Sequence, residues 1–225
     1  MCAPEIGTPI SLPVATDLLQ IDVDQPDAAA IDRAVREIAC GRVLGVPTDA
    51  LYTLVADPLN LHAVGRVFEA KGRETVRSLP VAISDIMMAE DLARELNSRF
   101  YILARHFWPG PLTIIVPSAS KIPLKVTGNT GRLAMRHTSS KVLNAIIEKT
   151  GHALIATSAN ISGQPTISSG IELFAAMDGR VDLVLDGGSC TGPGATTVDI
   201  TEPYWRVIKE GAISEREIAE RLQGS

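Results

Sequence analysis

Two cations and two polar side chains have the types and spacing for chemistry on an anion. Lys71 and Arg73 flank a glycine, and Arg77 follows shortly after. Ser158 and Asn160 stand two positions apart, so in extended backbone their side chains face the same side. An ammonium group and a guanidinium fork bind anionic oxygens, and a hydroxyl and an amide add hydrogen bonds. The four residues predict an anion site if the fold brings them together.

The same residues also have a purely structural interpretation. The segment NLHAVGRVFEAKG predicts a helix that is capped by Asn60 and ends at Gly72. A lysine near that end would favour the helix dipole by about 0.3–1 kcal/mol without binding anything. TSANISG can likewise be a turn followed by a capped helix. Local pattern alone leaves both interpretations open.

Other well-known catalytic and binding motifs are missing from the sequence. The glycine-rich run GGSCTGPGATT (187–197) has neither a lysine at the Walker position nor the G-x-G-x-x-G spacing. The four histidines form no HExxH motif, no GxSxG elbow is present, and the three cysteines form no CxxC pair. The sequence therefore predicts no metal site and no disulfide framework.

Composition and charge place the chain among ordinary globular proteins. It has 225 residues, a hydrophobic fraction of 45% and a net charge of −5, so any nucleic-acid contact would need a local basic patch. No signal peptide pattern opens the sequence, and no apolar run reaches the roughly 18 residues of a membrane helix. We expect a cytoplasmic protein without a membrane segment.

The elements that must position these residues alternate between helices and strands. Residues 1–24 are expected to form an irregular N-terminal arm, and residues 25–225 one α/β domain. Strands are predicted within RVLGVPT, LPVAIS, LTIIVP, RLAMR, ALIAT, VDLVL, TTVDI and YWRVI. Helices are predicted after Asp27 and after Asn60, near 85–96, 98–107, 139–149 and 169–177, and from Ser214. We expect a mixed sheet of at least six strands, with TTVDI and YWRVI antiparallel.

Six motifs in order carry a resemblance to a known family. PTDALY, KGR, WPGPLT, LAMR, TSANISG and DLVLDGG resemble the YrdC/TsaC family of threonylcarbamoyl-AMP synthases, and the match extends over residues 30–212. The resemblance implies a YrdC-like twisted mixed sheet flanked by helices, with a concave basic cleft. It implies a reaction of L-threonine, bicarbonate or carbon dioxide, and ATP to threonylcarbamoyl-AMP and pyrophosphate, with Mg²⁺ on the triphosphate. The product would serve threonylcarbamoyladenosine formation at position 37 of tRNA, carried out by partner transferase proteins.

The resemblance also implies a role for particular residues. The catalytic set would be Lys71, Arg73, Ser158 and Asn160. ATP would be bound by Lys71, Arg73, Arg77, Ser158, Ala159, Asn160 and Lys209. L-Threonine would be bound by Thr48, Arg136 and Thr157. No protein ligand to a metal is assigned. Lys71→Ala should abolish adenylate formation and leave thermal stability nearly unchanged, whereas a large loss of stability would favour the helix-end interpretation of this lysine.

Departures from the family pattern keep two other functions open. Ala50 and Ala195 replace a threonine and a serine, and Lys209 stands where the family has an arginine. One alternative is a paralogue that binds RNA and makes no adenylate; the other is an enzyme acting on a different amino acid or carbamoyl group. The cations available to an RNA patch are Arg66, Lys71, Arg73, Arg77, Lys121, Lys125, Arg132, Arg136 and Lys141.

Overall fold

The structure, a computed structural model, describes residues 15–72 and 77–223. Within these ranges the helices are α1 (Ala28–Ala39), α2 (Leu61–Lys71), α3 (Ile86–Leu92), α4 (Ser98–Phe107), α5 (Leu124–Thr127), α6 (Lys141–Thr150), α7 (Gly170–Met177) and α8 (Glu215–Gln223). The strands are β1 (Asp17–Gln20), β2 (Leu44–Val46), β3 (Thr53–Ala56), β4 (Val81–Ile83), β5 (Leu112–Pro117), β6 (Arg132–His137), β7 (Leu154–Ser158), β8 (Leu183–Asp186), β9 (Thr196–Asp199) and β10 (Arg206–Lys209).

Side-chain caps explain where several helices begin and end. Asp27 and Asn60 accept hydrogen bonds from the first backbone N–H groups of α1 and α2. Gly72 adopts a left-handed conformation (φ 55°) and ends α2. Ser214 and Glu217 form the reciprocal capping box of α8. These sequence predictions are confirmed.

All ten strands form one mixed sheet in the order β1-β8-β2-β3-β7-β4-β6-β5-β9-β10. Four neighbouring pairs are parallel and five are antiparallel, and β9 and β10 are antiparallel as expected. The predicted mixed α/β fold is confirmed. The connection 187–195 joins β8, near one edge of the sheet, to β9, near the other edge.

The sequence patterns did not predict strands β1 and β3 or the short helix α5. Strand β1 lies inside residues 1–24, so the expectation of an irregular arm is wrong for residues 17–20. Its short DLLQ segment becomes a strand by pairing parallel to β8. Strand β3 directly follows the PTDALY motif, and no strand was predicted there. Its pairing with β2 and β7 defines it. Residues 1–14 lie outside the described part of the chain.

The two faces of the sheet are covered unequally. Helices α1 and α6 pack together on one face, where their apolar side chains meet β2, β7 and β8. The opposite face forms the larger core with α2, α3, α4, α7 and α8. Since α1 and α6 cover only part of their face, the rest of that face over β4, β5, β6 and β9 stays open to a cavity.

Candidate active site

A cavity of about 360 Å³ occupies the open part of the sheet. The floor of the cavity lies on the same face of the sheet that α1 and α6 cover elsewhere. Ala82 shows this, since it packs in the core beneath α1 and α6 and also lines the cavity. Ala82 on β4, Ala134 on β6 and Ala156 on β7 contribute only methyl groups to this floor. Small side chains on three central strands leave room above the sheet for a ligand.

Lys71 lies at the end of α2 but is not a solvent-exposed cation. The residue is 2% exposed, and its ammonium donates to the backbone oxygens of Ser158 (2.6 Å) and Asn160 (3.0 Å). The Asn160 side-chain Oδ1 lies 3.3 Å from the same ammonium. Lys71 therefore fixes the loop after β7 through three oxygen atoms. Sequence reasoning brought the three residues together, but the structure does not support the expectation that Lys71→Ala leaves stability unchanged.

The loop after β7 presents Ser158 to the cavity. The Ser158 hydroxyl donates to Asn160 Oδ1 over 2.7 Å, and Asn160 Nδ2 donates to the Gln164 carbonyl over 2.7 Å. The two side chains thus lie on the same side, as their spacing predicts. Asn160 itself is buried, and Ala159 is fully buried with its N–H bonded to the Tyr52 carbonyl at 2.9 Å. Ser158 is consequently the member of this loop that lines the cavity wall.

Arg136, on β6, lines the same cavity as Ser158. Its Nε donates to the Gly110 carbonyl at 2.9 Å, and its Nη2 pairs with the Asp49 carboxylate at 2.5 Å. Asp49 also accepts a hydrogen bond from the Thr138 hydroxyl. Burial lowers the pKa of Arg136, and the charge of Asp49 opposes that shift. Asp49, which sequence reasoning did not single out, holds the guanidinium in place from the β2–β3 loop.

Lys209 reaches the cavity from the far side of the sheet. It pairs with Thr197 across β9 and β10 and lines the cavity wall. The turn that follows is packed tightly, since a Cβ on Gly211 would lie 2.0 Å from the Gly194 carbonyl oxygen. Thr196 holds this turn by donating to the Ile213 carbonyl at 2.6 Å and accepting from the Gly211 N–H at 2.9 Å.

The remaining predicted residues divide between the cavity and its surroundings. Thr48 and Thr157 line the cavity, and Thr48 also closes its own turn by donating to the Leu51 carbonyl at 2.6 Å. Ala50 and Ala195, the two alanines that depart from the family pattern, also line this cavity. Arg77 is exposed and is not part of the described cavity wall. Arg73 lies outside the described residues.

A buried tyrosine supports the cavity from below. The Tyr52 hydroxyl donates to the Gly188 carbonyl at 2.8 Å and accepts from the Gly187 N–H at 3.0 Å. Burial raises the pKa of Tyr52 well above its ordinary value. Further along this connection Gly192 packs on the β2–β3 loop, where an added Cβ would meet the Asp49 carbonyl oxygen at 2.8 Å. The glycine-rich run, predicted as turns, thus braces the loop that carries Asp49 and Ala50.

Most cations proposed for an RNA patch are neutralised in the described part of the chain. Five of the nine form ion pairs: Arg66 with Asp182, Lys121 with Asp91, Arg132 with Asp199 and Glu202, Arg136 with Asp49, and Lys141 with Asp24. An ion-paired cation has less charge to offer a phosphate backbone. Residues 15–72 and 77–223 also contain no helix long and apolar enough to cross a membrane.

Comparison with known proteins gives consistent matches. The family model for Sua5, YciO and YrdC proteins, described as "Telomere recombination", matches residues 36–211. The threonylcarbamoyl-AMP synthase of Pyrococcus abyssi is 34% identical over 79% of this chain and 53% of its own length. The synthase of Bacillus subtilis is 31% identical over 88% of this chain and 57% of its own length. The chain thus spans little more than half of these two curated relatives.

Solved structures agree with these sequence matches. P. abyssi Sua5 complexed with L-threonine superimposes with a TM-score of 0.88 at 31% identity, covering 92% of this chain and 61% of the other. E. coli YciO gives a TM-score of 0.83 over 90% of this chain and 99% of its own, and at 22% identity it shows the fold alone. The motifs occur in order on one mixed sheet, and the family model matches most of the chain. The chain therefore belongs to the Sua5/YciO/YrdC family.

Proposed function

We propose that this chain makes threonylcarbamoyl-AMP and pyrophosphate from L-threonine, bicarbonate or carbon dioxide, and ATP. The observation that carries the proposal is one cavity that contains both Ser158, on the loop fixed by Lys71, and Arg136. The loop that carries Ser158 is suited to bind a phosphate or carbamate, and the Arg136 guanidinium is suited to bind a carboxylate. The names of the relatives from P. abyssi and B. subtilis support the same reaction.

Arg136 is the proposed receptor for the threonine carboxylate. A guanidinium has five N–H donors, and two of its nitrogens are already used by Gly110 and Asp49. The donors that are left can bind a carboxylate while those two contacts hold the plane of the group. Thr48 and Thr157, in the same wall, are proposed to help place the amino acid.

The Lys71 loop is proposed to serve the reacting carbamate and the phosphates. An oxygen of the carboxylated threonine amine attacks the α-phosphorus of ATP, and the bond to pyrophosphate breaks. Lys71 contributes its positive charge beneath the loop and keeps Ser158 and Asn160 in place. The Ser158 hydroxyl donates to Asn160 Oδ1 in this structure, so to bind a phosphate or carbamate oxygen it has to rotate and donate to that oxygen instead. Lys209, with Arg73 and Arg77 from the neighbouring segment, would neutralise further phosphate charge.

Magnesium fits this site only as part of the substrate. The described cavity wall contains no carboxylate, and the described residues contain no group of three His, Cys, Asp or Glu side chains that could hold a metal. Mg²⁺ commonly keeps several waters and binds substrate phosphates. We therefore propose that it enters as MgATP, in which it would neutralise triphosphate charge.

The test is pyrophosphate release and detection of the adenylate by mass spectrometry with purified protein, MgATP, L-threonine and bicarbonate. The wild type should form both products, and Ser158→Ala should lose most of the rate with an unchanged melting temperature. Ser84→Ala is the matched control, because Ser84 bonds to Asp85 at the surface away from the cavity. Folded protein that binds ATP and yet forms neither product would contradict the proposal.

The RNA-binding alternative has no observation that favours it, given the ion pairing of its cations. A cytoplasmic location, direct RNA contact and transfer of the product by separate tRNA-modification proteins are expectations from the family resemblance. Salt-sensitive tRNA binding without ATP turnover would reopen the alternative.

A further inference from the structure

Four polar residues form a row across the open face of the sheet, with a register shift on β10 between Val207 and Lys209. Lys209 on β10 pairs with Thr197 on β9, and Thr197 pairs with Thr113 on β5. Strands β5 and β6 are antiparallel with Ile114 opposite Met135, so the next residues, Thr113 and Arg136, stand opposite each other. All four line the cavity. Two hydroxyls therefore lie between two cations, on neighbouring strands.

The two threonine hydroxyls have no partner among the described residues. Neither Thr113 nor Thr197 makes a side-chain hydrogen bond there, in contrast to Thr48 and Thr138. Thr113 is only 9% exposed. Among the described residues, Asn144 Oδ1 is the one fully buried side-chain oxygen or nitrogen without a partner, so the Thr113 oxygen is not fully buried. The Thr113 oxygen is thus accessible from the cavity. Polar groups at this depth normally have a partner, and a ligand or a water molecule in the cavity can supply it.

The spacing of the pair suits a single oxygen atom placed between them. Neighbouring strands lie about 4.8 Å apart, and a hydroxyl hydrogen bond spans about 2.8 Å. One substrate oxygen can therefore lie within hydrogen-bond distance of both hydroxyls. The surroundings along the strands are apolar, with Ala195 two positions before Thr197 and Ile115 two positions after Thr113. Such a subsite fits a short side chain that carries one hydroxyl on an otherwise apolar body.

We propose that Thr113 and Thr197 form the specificity subsite for a β-hydroxy amino acid, an inference that rests on the proposed function. Arg136 holds the substrate carboxylate at the next strand, which places the β-substituent over the two hydroxyls. The guanidinium already lies on the β5 side, since its Nε is bonded to the Gly110 carbonyl. Hydroxyl recognition thus does not depend on positions 50 and 195, where this chain has alanine.

The test compares L-threonine with L-2-aminobutyrate, which lacks only the hydroxyl. The variants are Thr113→Val and Thr197→Val, which keep the side-chain shape and remove one hydroxyl each. Each should lower kcat/KM for L-threonine about tenfold and leave that for L-2-aminobutyrate within about twofold, following the affinity lost with a hydrogen bond. Thr113→Ser, which keeps the hydroxyl, should restore the preference for threonine.

A matched control removes a hydroxyl at the other end of the cavity. Thr53 on β3 pairs with Ser158 and also lines the cavity, four strands away from Thr113. Thr53→Val should change the kinetics with both amino acids by the same factor. Equal losses for the two amino acids in Thr113→Val and Thr197→Val, or a raised KM for ATP alone, would overturn the subsite.

Calorimetric binding of the two amino acids separates this inference from the proposed function. Tighter binding of L-threonine that both valine variants abolish, without any turnover, would refute the synthase and support the subsite. Turnover whose preference for threonine is unaffected by either variant would support the synthase and refute the subsite. Neither turnover nor a binding preference would refute both.

Discussion

Replacing Lys71 by alanine should destabilise the protein as well as inactivate it. The ammonium binds two carbonyl oxygens at 2.6 and 3.0 Å, and the residue is 2% exposed. Hydrogen bonds to a charged group contribute about 1.5–3 kcal/mol each. The two bonds together give an upper bound of about 6 kcal/mol, which is reduced because the mutation also removes the desolvation cost of a buried ammonium. We expect a net loss of about 2–4 kcal/mol in the free energy of unfolding.

Calorimetry and the pyrophosphate assay measure the two effects separately. For a chain of this size about 1 kcal/mol shifts the melting temperature by roughly 2–4 °C, so Lys71→Ala should lower it by about 4–16 °C. Lys149→Ala is the matched control, because Lys149 also lies in the last turn of a helix that ends at a left-handed glycine. Its side chain is 48% exposed and pairs with Asp32 at the surface, so its loss should cost less than about 1 kcal/mol.

A third variant separates the charge of Lys71 from its packing. Lys71→Met keeps most of the aliphatic stem and removes the ammonium, so it should be inactive with a smaller loss of stability than Lys71→Ala. The reasoning would be refuted if Lys71→Ala and Lys149→Ala gave the same small melting shift and both retained pyrophosphate release. That result would make Lys71 an ordinary helix-end lysine.

Three further perturbations probe the supports of the cavity. Tyr52→Phe removes the hydrogen bond to the Gly188 carbonyl and should cost about 0.5–1.5 kcal/mol in denaturant unfolding; an unchanged midpoint would contradict the role of this hydroxyl. Burial lowers the pKa of His137, so its stabilising contribution is present above the ordinary value of 6.5 and is lost as the pH falls through the lower folded pKa. His137→Asn should therefore flatten the fall in melting temperature between about pH 6.5 and 5, and an unaltered profile would assign that fall to other groups. Gly211→Ala drives a Cβ into the Gly194 backbone and should raise the KM for ATP or prevent folding, whereas wild-type kinetics would show that the turn can relax.

The sequence predicts most elements because their signals are local. The capping side chain of Asn60 and the left-handed Gly72 define α2 from residues within or next to the helix itself. Strand β1 lacks such a signal, since its four residues become a strand only through β8, more than 160 positions away. The same limit applies to β3, whose short TLVA segment is defined by its pairing with β7.

The sequence predicts which residues belong to the candidate site, but it does not predict how their side chains are arranged. Ordered motifs placed Lys71, Ser158 and Arg136 in one site. No local pattern indicates that Lys71 turns inward to backbone carbonyls, because that depends on the path of a loop 87 positions later in the chain. The pairing of Asp49 with Arg136 likewise joins residues that are far apart in sequence. The sequence could have indicated Thr113, because it ends the WPGPLT motif and lies two positions before Ile115 on β5, on the same face of the strand.

The connection between β8 and β9 has a consequence for the curvature of the sheet. These strands occupy the second and ninth positions of the order, so a flat sheet would separate them by about 34 Å at about 4.8 Å per strand. The ten peptide steps from Asp186 to Thr196 reach at most about 36 Å when fully extended. The segment also turns at Gly188, where φ is +82°, and contacts the β2–β3 loop at Gly192. The sheet must therefore bend until its two sides approach, and this tether sets how widely the concave face can open. The length of this connection, whose last two residues, Gly194 and Ala195, line the cavity, would in this way limit the width of the cavity, and each inserted residue would let it widen.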